Sequence, residues 1–214
     1  MDWDREARTG LAEAVFAPGK TPDQLGAVIA EARETARALL ITRLDEAKHR
    51  ALEPTHREGL DFRTLSGTAI LGTPRPAVAE AGSVGIVTGG IADLPAATEA
   101  LRALRFAGVG AELIADVGVA GLWRLMERLD DVRRHDVLIA VAGMEGALFS
   151  VLAGLVPAPV IALPVSCGTG VTEGGRLALH AALGSCAPGL VAVNIDNGFG
   201  AAQAAVRTLH ARQR

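Results

Sequence analysis

The chain has 214 residues, of which 50% are hydrophobic and 21% charged, a balance that fits one large globular domain, or one with a small appendage, and excludes disorder, collagen and coiled coil. Aromatic residues make up only 3%, tyrosine is absent and glycine occurs 25 times, so the core must be built from small and branched aliphatic side chains. That favours an α/β fold over an antiparallel sandwich. A formal net charge of -3, with no basic block interleaved with aromatics, gives no field for a polyanion and argues against nucleic acid as a partner.

The amino terminus, Met1-Asp2-Trp3-Asp4-Arg5-Glu6, is charged where a secretory leader would be apolar, and Cys167 and Cys186 are too few for a disulfide framework. A reduced, cytoplasmic protein is expected. Residues 1–65 hold most of the early charge and read as a small α/β appendage. Thr21 caps a helix there, with Pro22 in its first turn and Gln24 completing a capping box; Leu25, Val28, Ile29 and Ala32 share its apolar face. A short strand at 39–41 and a helix at 45–52 follow. Residues 66–82 mix turn formers with a few apolar residues and read as the connection to the main domain, 83–214.

From Ser83 an apolar strand, a glycine-containing turn and an Ala/Leu-rich helix recur. The spacing predicts strands at 84–87, 111–115, 137–142, 160–164 and 191–195, with helices at 94–106, 119–129, 145–153, 172–183 and 198–209. The long apolar tract from Val137 to Val165 could span a bilayer only as one helix; Glu145, Gly143, Gly146, Gly154, Pro157 and Pro159 interrupt it, so strand, helix and strand are expected, and no membrane. Alternating strands and helices imply a parallel sheet covered on both faces, with ligands beyond the carboxyl ends of the strands.

Those ends carry the candidate chemistry. After the first strand, Gly89 and Gly90 let backbone approach a ligand, and the helix beginning at Asp93 suits a phosphate; a tight turn with Asp93 as cap explains the same residues. Asp116 and Gly118 end the second strand, where the carboxylate could hold a ribose hydroxyl or cap a helix facing water. Gly143, Met144 and Glu145 end the third. Glu145 is a lone carboxylate in apolar sequence, which predicts either a hydrogen-bonded group stabilising the helix start or a raised pKa suited to proton transfer. Ser166, Cys167 and Gly168 open a glycine- and hydroxyl-rich fourth turn, and Asn194, Asp196 and Asn197 cap the last helix or line a cleft. Either cysteine could be reactive or an inert structural residue. No histidine pairs with a cysteine at zinc-like spacing, and neither a P-loop nor a nucleophile elbow is present.

The strings Ala142-Gly143-Met144-Glu145-Gly146-Ala147-Leu148, Val117-Gly118-Val119-Ala120-Gly121-Leu122, Ser185-Cys186-Ala187-Pro188-Gly189 and Val193-Asn194-Ile195-Asp196-Asn197-Gly198-Phe199-Gly200-Ala201-Ala202 together resemble the LarB family of nickel-pincer cofactor biosynthesis. Arg8-Thr9-Gly10 and Gly19-Lys20-Thr21-Pro22 extend the resemblance over nearly the whole chain. It implies a flavodoxin-like main domain similar to the purine-pathway carboxylase PurE and a homo-oligomer, with that enzyme's octamer as the pattern. The implied reaction carboxylates the pyridinium ring of nicotinic acid adenine dinucleotide and cleaves its phosphoanhydride, giving pyridinium-3,5-biscarboxylic acid mononucleotide and AMP. By the same resemblance Cys186 is the nucleophile and Glu145 the acid/base carboxylate, while the Gly89–Asp93 turn takes phosphate and Asp116 the ribose. No covalently bound cofactor is implied; magnesium could screen the substrate diphosphate, although no residue cluster demands it.

Two departures stand out. Ala92 replaces a family hydroxyl beside the phosphate turn, and Thr169 replaces an aromatic residue in the fourth turn. They keep a non-catalytic nucleotide-binding module among the rivals. PurE-like carboxylation or mutase chemistry on aminoimidazole ribonucleotide is another, weakened because that enzyme carries His in the turn where this chain has Glu145.

Overall fold

The computed structural model describes residues 1–78 and 82–212. Its first unit contains α1 (Arg5–Thr9), β1 (Ala14–Phe16), α2 (Pro22–Glu34), β2 (Leu39–Thr42), α3 (Glu46–Ala51), α4 (Pro54–Arg57), β3 (Leu60–Arg63) and β4 (Thr68–Leu71). The expected capping box starts α2: Thr21 Oγ1 accepts the Gln24 amide at 3.2 Å and Gln24 Oε1 accepts the Thr21 amide at 3.0 Å. Leu25, Ile29 and Ala32, one face of that helix, pack on the buried residues of β2 and β4. The sheet order is β1-β2-β4-β3, with β1 parallel to β2 and the other pairs antiparallel.

Thr68–Leu71 is therefore a correction, because the sequence placed it in the connection. It is a fully buried strand lying between β2 and β3. Gly67 and Gly72, both at positive φ, bracket it and gave the segment its loop-like composition.

The second unit contains β5 (Ser83–Thr88), α5 (Leu94–Phe106), β6 (Gly110–Ile114), α6 (Leu122–Glu127), α7 (Leu129–Arg133), β7 (Val137–Ala142), α8 (Ala147–Leu155), β8 (Val160–Pro164), α9 (Arg176–Leu183), β9 (Leu190–Ala192) and α10 (Gly198–Arg212). All its strand pairs are parallel, in the order β6-β5-β7-β8-β9. This is the doubly wound flavodoxin-like arrangement, whose chain reverses direction across the sheet between β5 and β7. Alternation along β7 sends Val137, Ile139 and Val141 to a core with α5 and α10, and Leu138, Ala140 and Ala142 to a second core with α6 to α9. Being buried on both faces, β7 and β8 carry continuous apolar runs and fill the predicted intervals.

The elements near the sheet margin differ more. β9 ends at Ala192 rather than running to 195, because the chain turns through Asn194–Asn197 with Asp196 at φ 57. The predicted helix at 119–129 is a 3₁₀ turn, Val119–Gly121, followed by α6, with α7 beyond it; that at 172–183 is a 3₁₀ segment, Gly170–Gly175, followed by α9. No helix of the described residues is long and apolar enough to cross a membrane.

Alanines set the spacing between α5 and α10: Ala97, Ala100 and Ala103 are buried with Ala201, Ala202 and Ala205 in the same core. At Gly198 the approach is closest, since a Cβ there would sit 2.4 Å from the Ala96 carbonyl oxygen. The two units also share this core through Leu11, Leu40 and Ile70. Arg102 of α5 ties them further, donating to Thr68 Oγ1 at 2.6 Å and to Asp61 Oδ2 at 2.9 Å.

One charge lies inside this packing. Glu99 of α5 is 4% exposed; its Oε2 accepts the Gly198 amide at 3.2 Å, and Oε1 lies 3.8 Å from Nε of Arg43. Burial raises its pKa from 4.5 to about 7, against the opposing pull of Arg43 and the α10 amides. Between pH 4.5 and about 7 the folded chain holds a proton that the unfolded chain has lost, so this group's contribution to stability declines as pH rises through that window. The decline amounts to about 3 kcal/mol. Glu99→Gln should remove most of it, which urea unfolding at about pH 5 and about pH 8 would reveal; an equally steep decline in the variant would rule Glu99 out as its source.

Candidate active site

The β5, β7 and β8 strand ends meet at one carboxylate. Past Thr88 the chain bends through Gly89 and Gly90 into a 3₁₀ turn, Ile91–Asp93, that leads straight into α5. Asp93 is 4% exposed and points inward: its Oδ2 accepts the Gly90 amide at 2.7 Å, and its Oδ1 accepts the Cys167 thiol at 3.4 Å. Burial raises the Asp93 pKa, while the Gly90 amide, the Cys167 thiol and the Gly143 and Gly89 amides oppose that rise. Gly143 leaves room for the thiol, since a Cβ there would lie 2.5 Å from Cys167 Sγ. Burial and then the neighbouring Asp93 charge push the Cys167 pKa up to about 11, so at neutral pH it is a proton donor rather than a thiolate.

The remaining turns close around this centre. A Cβ at Gly118 would meet the Gly89 carbonyl oxygen at 2.5 Å, so glycine lets the β6 turn lie against the β5 turn. Asp116 sits at φ 59 with its amide on Thr88 Oγ1 at 3.1 Å and its carboxylate paired to Arg124 at 3.0 Å. In the β8 turn the Ser166 amide donates to Asp196 Oδ1 at 2.8 Å, and the Asp196 amide donates to the Pro164 carbonyl at 2.8 Å. Gly168 packs so closely on Thr172 that a Cβ would fall 2.4 Å from its carbonyl oxygen. Met144 is half exposed at φ 52, its sulfur 3.5 Å from Thr172 Oγ1.

A cleft of 710 Å³ opens beside these residues. The second unit lines it with Ala92, Ser166, Cys167 and Asp196, and the first unit supplies its opposite wall, including Arg43 and Ser66.

The structure thus gathers Asp93, Gly143, Ser166 and Asp196 with Cys167, and sets Gly89, Gly90, Asp116 and Gly118 alongside on the β5–β6 side. Several expectations change. Glu145 lies on an exposed turn, and no hydrogen bond or ion pair joins it to another described residue. The burial inferred from its apolar neighbours falls instead on Asp93 and Glu99. The Gly90 amide, expected for a phosphate, is held by Asp93. Asn194 and Asn197 fit both expected roles: they accept from Ile195 at 2.9 Å and Gly200 at 2.8 Å, so Asn197 caps α10, and both line a separate cavity of 390 Å³ with Arg43 and Glu99.

Cys186 does not join the cluster. It is exposed in the loop between α9 and β9, which enters the amino end of β9; Gly189 of that loop accepts the Val160 amide at the start of β8. The crevice lies past the carboxyl ends of the strands. Arg43 and Glu99 were not anticipated by the sequence analysis. Glu99 had a readable signal, because it lies three residues after Ala96 and four before Ala103 on the apolar stripe of α5. Arg43 had none, since its partners are far away in the chain. Among the described residues no group of three or more His, Cys, Asp or Glu is arranged to hold a metal ion.

Comparison with known proteins agrees with this two-part organisation. Residues 1–71 match the LarB/PurE-like N-terminal domain, and residues 83–214 match the AIR carboxylase domain. An uncharacterized protein of Methanocaldococcus jannaschii is 37% identical over 207 residues, spanning 94% of this chain and 80% of that relative.

The two thiols should differ in reactivity. Both cysteines are exposed, so the Asp93 carboxylate beside Cys167 sets them apart: Cys167 is expected to be alkylated by iodoacetamide at pH 8 more slowly than Cys186, and Asp93→Asn, by removing the charge that helps hold Cys167 protonated, should accelerate it. Peptide mass spectrometry over a time course checks both; a Cys167 rate unaltered by Asp93→Asn would contradict the assigned coupling.

Proposed function

Because the chain belongs to the AIR carboxylase family and carries the LarB/PurE-like N-terminal domain ahead of that fold, we propose that it is a LarB-type carboxylase and phosphoanhydride hydrolase. The reaction takes nicotinic acid adenine dinucleotide, carbon dioxide and water to pyridinium-3,5-biscarboxylic acid mononucleotide and AMP, in nickel-pincer nucleotide biosynthesis. The observation that carries this reading is the presence of both domains in one chain, together with glutamate rather than histidine at position 145.

The chemistry asks for a nucleophile first. A pyridinium ring is electron-poor and does not attack carbon dioxide, but addition of the Cys186 thiolate breaks its aromaticity and leaves an enamine whose carbon 5 is nucleophilic. Carbon dioxide forms a bond to that carbon, the ring proton there passes to a base, and the carbon–sulfur bond breaks to restore the ring. Glu145 is the base in this scheme, and it can also activate the water that cleaves the phosphoanhydride. In this scheme the substrate phosphates lie beside the Gly89–Asp93 turn at the start of α5, without the Gly90 amide that Asp93 already holds, and Asp116 lies near a ribose; magnesium would accompany the diphosphate.

Ser185, next to Cys186, shares a hydrogen bond of 2.7 Å with Ser150 of α8, the helix that begins just after Glu145, but no hydrogen bond among the described residues joins Cys186 to Glu145 themselves. In this reading a homo-oligomer completes the site, the exposed Cys186 loop of one copy reaching the exposed Glu145 turn of another. Exposed Leu122, Trp123, Met126 and Val171 give the second unit apolar surface for such packing.

A second reading is carboxylase or mutase chemistry on aminoimidazole ribonucleotide, favoured by the family of the main domain. Mass spectrometry of products formed with isotopically labelled bicarbonate separates the two. The expected result is a labelled pyridinium dicarboxylate plus AMP, abolished by Cys186→Ala and slowed by Glu145→Gln. Oligomers mixed from those variants should turn over faster than either variant alone. Turnover of aminoimidazole ribonucleotide would select the second reading, and dinucleotide binding with no change in mass would reduce the protein to a nucleotide-binding module.

A further inference from the structure

We propose that Arg43, contributed by the first unit, is a positioning residue for the active-site crevice: it fixes the turn between β9 and α10 and through that turn the Ser166–Cys167 backbone. The inference rests on the carboxylase reading for its activity measurement and on the structure alone for its second measurement.

Arg43 follows β2 directly, at φ 55, and its loop is held because the adjoining Leu44 amide donates to the Gly67 carbonyl at 2.7 Å. From this anchored base the guanidinium crosses to the second unit. Its Nη2 donates to the Asp196 carbonyl oxygen, and its Nε lies 3.8 Å from Glu99 Oε1. Glu99 Oε2 meanwhile accepts the Gly198 amide at 3.2 Å, so arginine and glutamate grip the same turn from two sides.

That turn needs holding. Asp196 occupies the left-handed region at φ 57, which is unfavourable for a residue with a side chain, and its conformation persists only where surrounding contacts determine it. In this conformation Asp196 Oδ1 receives the Ser166 amide at 2.8 Å, and the next residue, Cys167, reaches Asp93. One connected path thus runs from Arg43 to Asp196, Ser166, Cys167 and Asp93. Arg43, Ser166, Cys167 and Asp196 also line the same 710 Å³ cleft. The first unit is in this sense a wall of the site and the holder of its geometry.

Lysine cannot replace this group in full. A single ammonium cannot face Glu99 and the Asp196 carbonyl as a planar guanidinium does.

The test compares Arg43→Met, which keeps much of the apolar stem, with Arg43→Lys and with Arg102→Ala. The last removes a bond between the units away from the β9–α10 turn. On nicotinic acid adenine dinucleotide with bicarbonate, Arg43→Met should lower kcat by about a hundredfold while moving KM by no more than about threefold, as expected when the Gly143–Glu145 turn that packs on Cys167 is misplaced and substrate affinity is kept. Arg43→Lys should recover a minor part of the loss, and Arg102→Ala should stay within about threefold of wild type. Equal losses for Arg43→Met and Arg102→Ala, or a full rescue by lysine, would overturn the proposal.

Hydrogen exchange gives a readout independent of turnover. In Arg43→Met, amides at 165–168 and 194–200 should exchange about tenfold faster while β7 keeps its protection. Unchanged exchange at those turns overturns the positioning role. A wild-type protein inactive on the dinucleotide, combined with the expected change in exchange, would overturn the carboxylase reading and leave the role of Arg43 standing.

Discussion

The site is organised around a carboxylate that has been taken out of water without a cation to receive it. Asp93 instead takes amide hydrogens from the β5 turn, with the Gly143 amide of the β7 turn nearby and a thiol hydrogen from the β8 turn. An unsatisfied buried carboxylate is unfavourable by several kcal/mol, so these donors have to be delivered together. Delivering them fixes three strand ends relative to one another. It also explains why Gly89 and Gly143 lack side chains: at the first a Cβ would lie 3.2 Å from Asp93 Oδ2, and at the second 2.5 Å from Cys167 Sγ.

The same demand separates what the sequence made legible from what it left hidden. β7 and β8 are central strands covered by helices on both faces, so their burial is written as unbroken apolar runs at Val137–Ala142 and Val160–Pro164. α2 and α5 announce themselves through Thr21-Pro22 and Leu94-Pro95 at their starts. β4 is different. Its four residues are a strand because β2 and β3 pair with them, and those partners lie elsewhere in the chain. Periodicity over so short a stretch, framed by Gly67 and Gly72, cannot report such pairing.

The candidate site shows the same division. Glycines at the strand ends were readable because close backbone approach leaves a compositional mark. Burial of individual carboxylates was not, since Glu145 and Asp93 look alike in sequence while the fold exposes one and encloses the other. The difference comes from where each turn leads. After Asp93 the chain enters α5 at once, pressing the carboxylate back over Gly143, whereas Glu145 precedes Gly146, whose left-handed conformation opens α8 after the side chain has been left at the surface.

This contrast bears on how the chain divides its chemistry. Asp93 and Glu99 are enclosed and committed to internal bonds with turns, so they serve to fix geometry, and the Cys167 thiol is held protonated beside the first of them. Glu145 and Cys186 are instead exposed. In the proposed carboxylase such a scaffold would hold its turns in place with buried acids and an arginine from the first unit, and its exposed groups would be the ones offered to a neighbouring copy. Fixed turns would make such sharing workable, because a nucleophile supplied by another chain would need a crevice whose shape is set before it arrives.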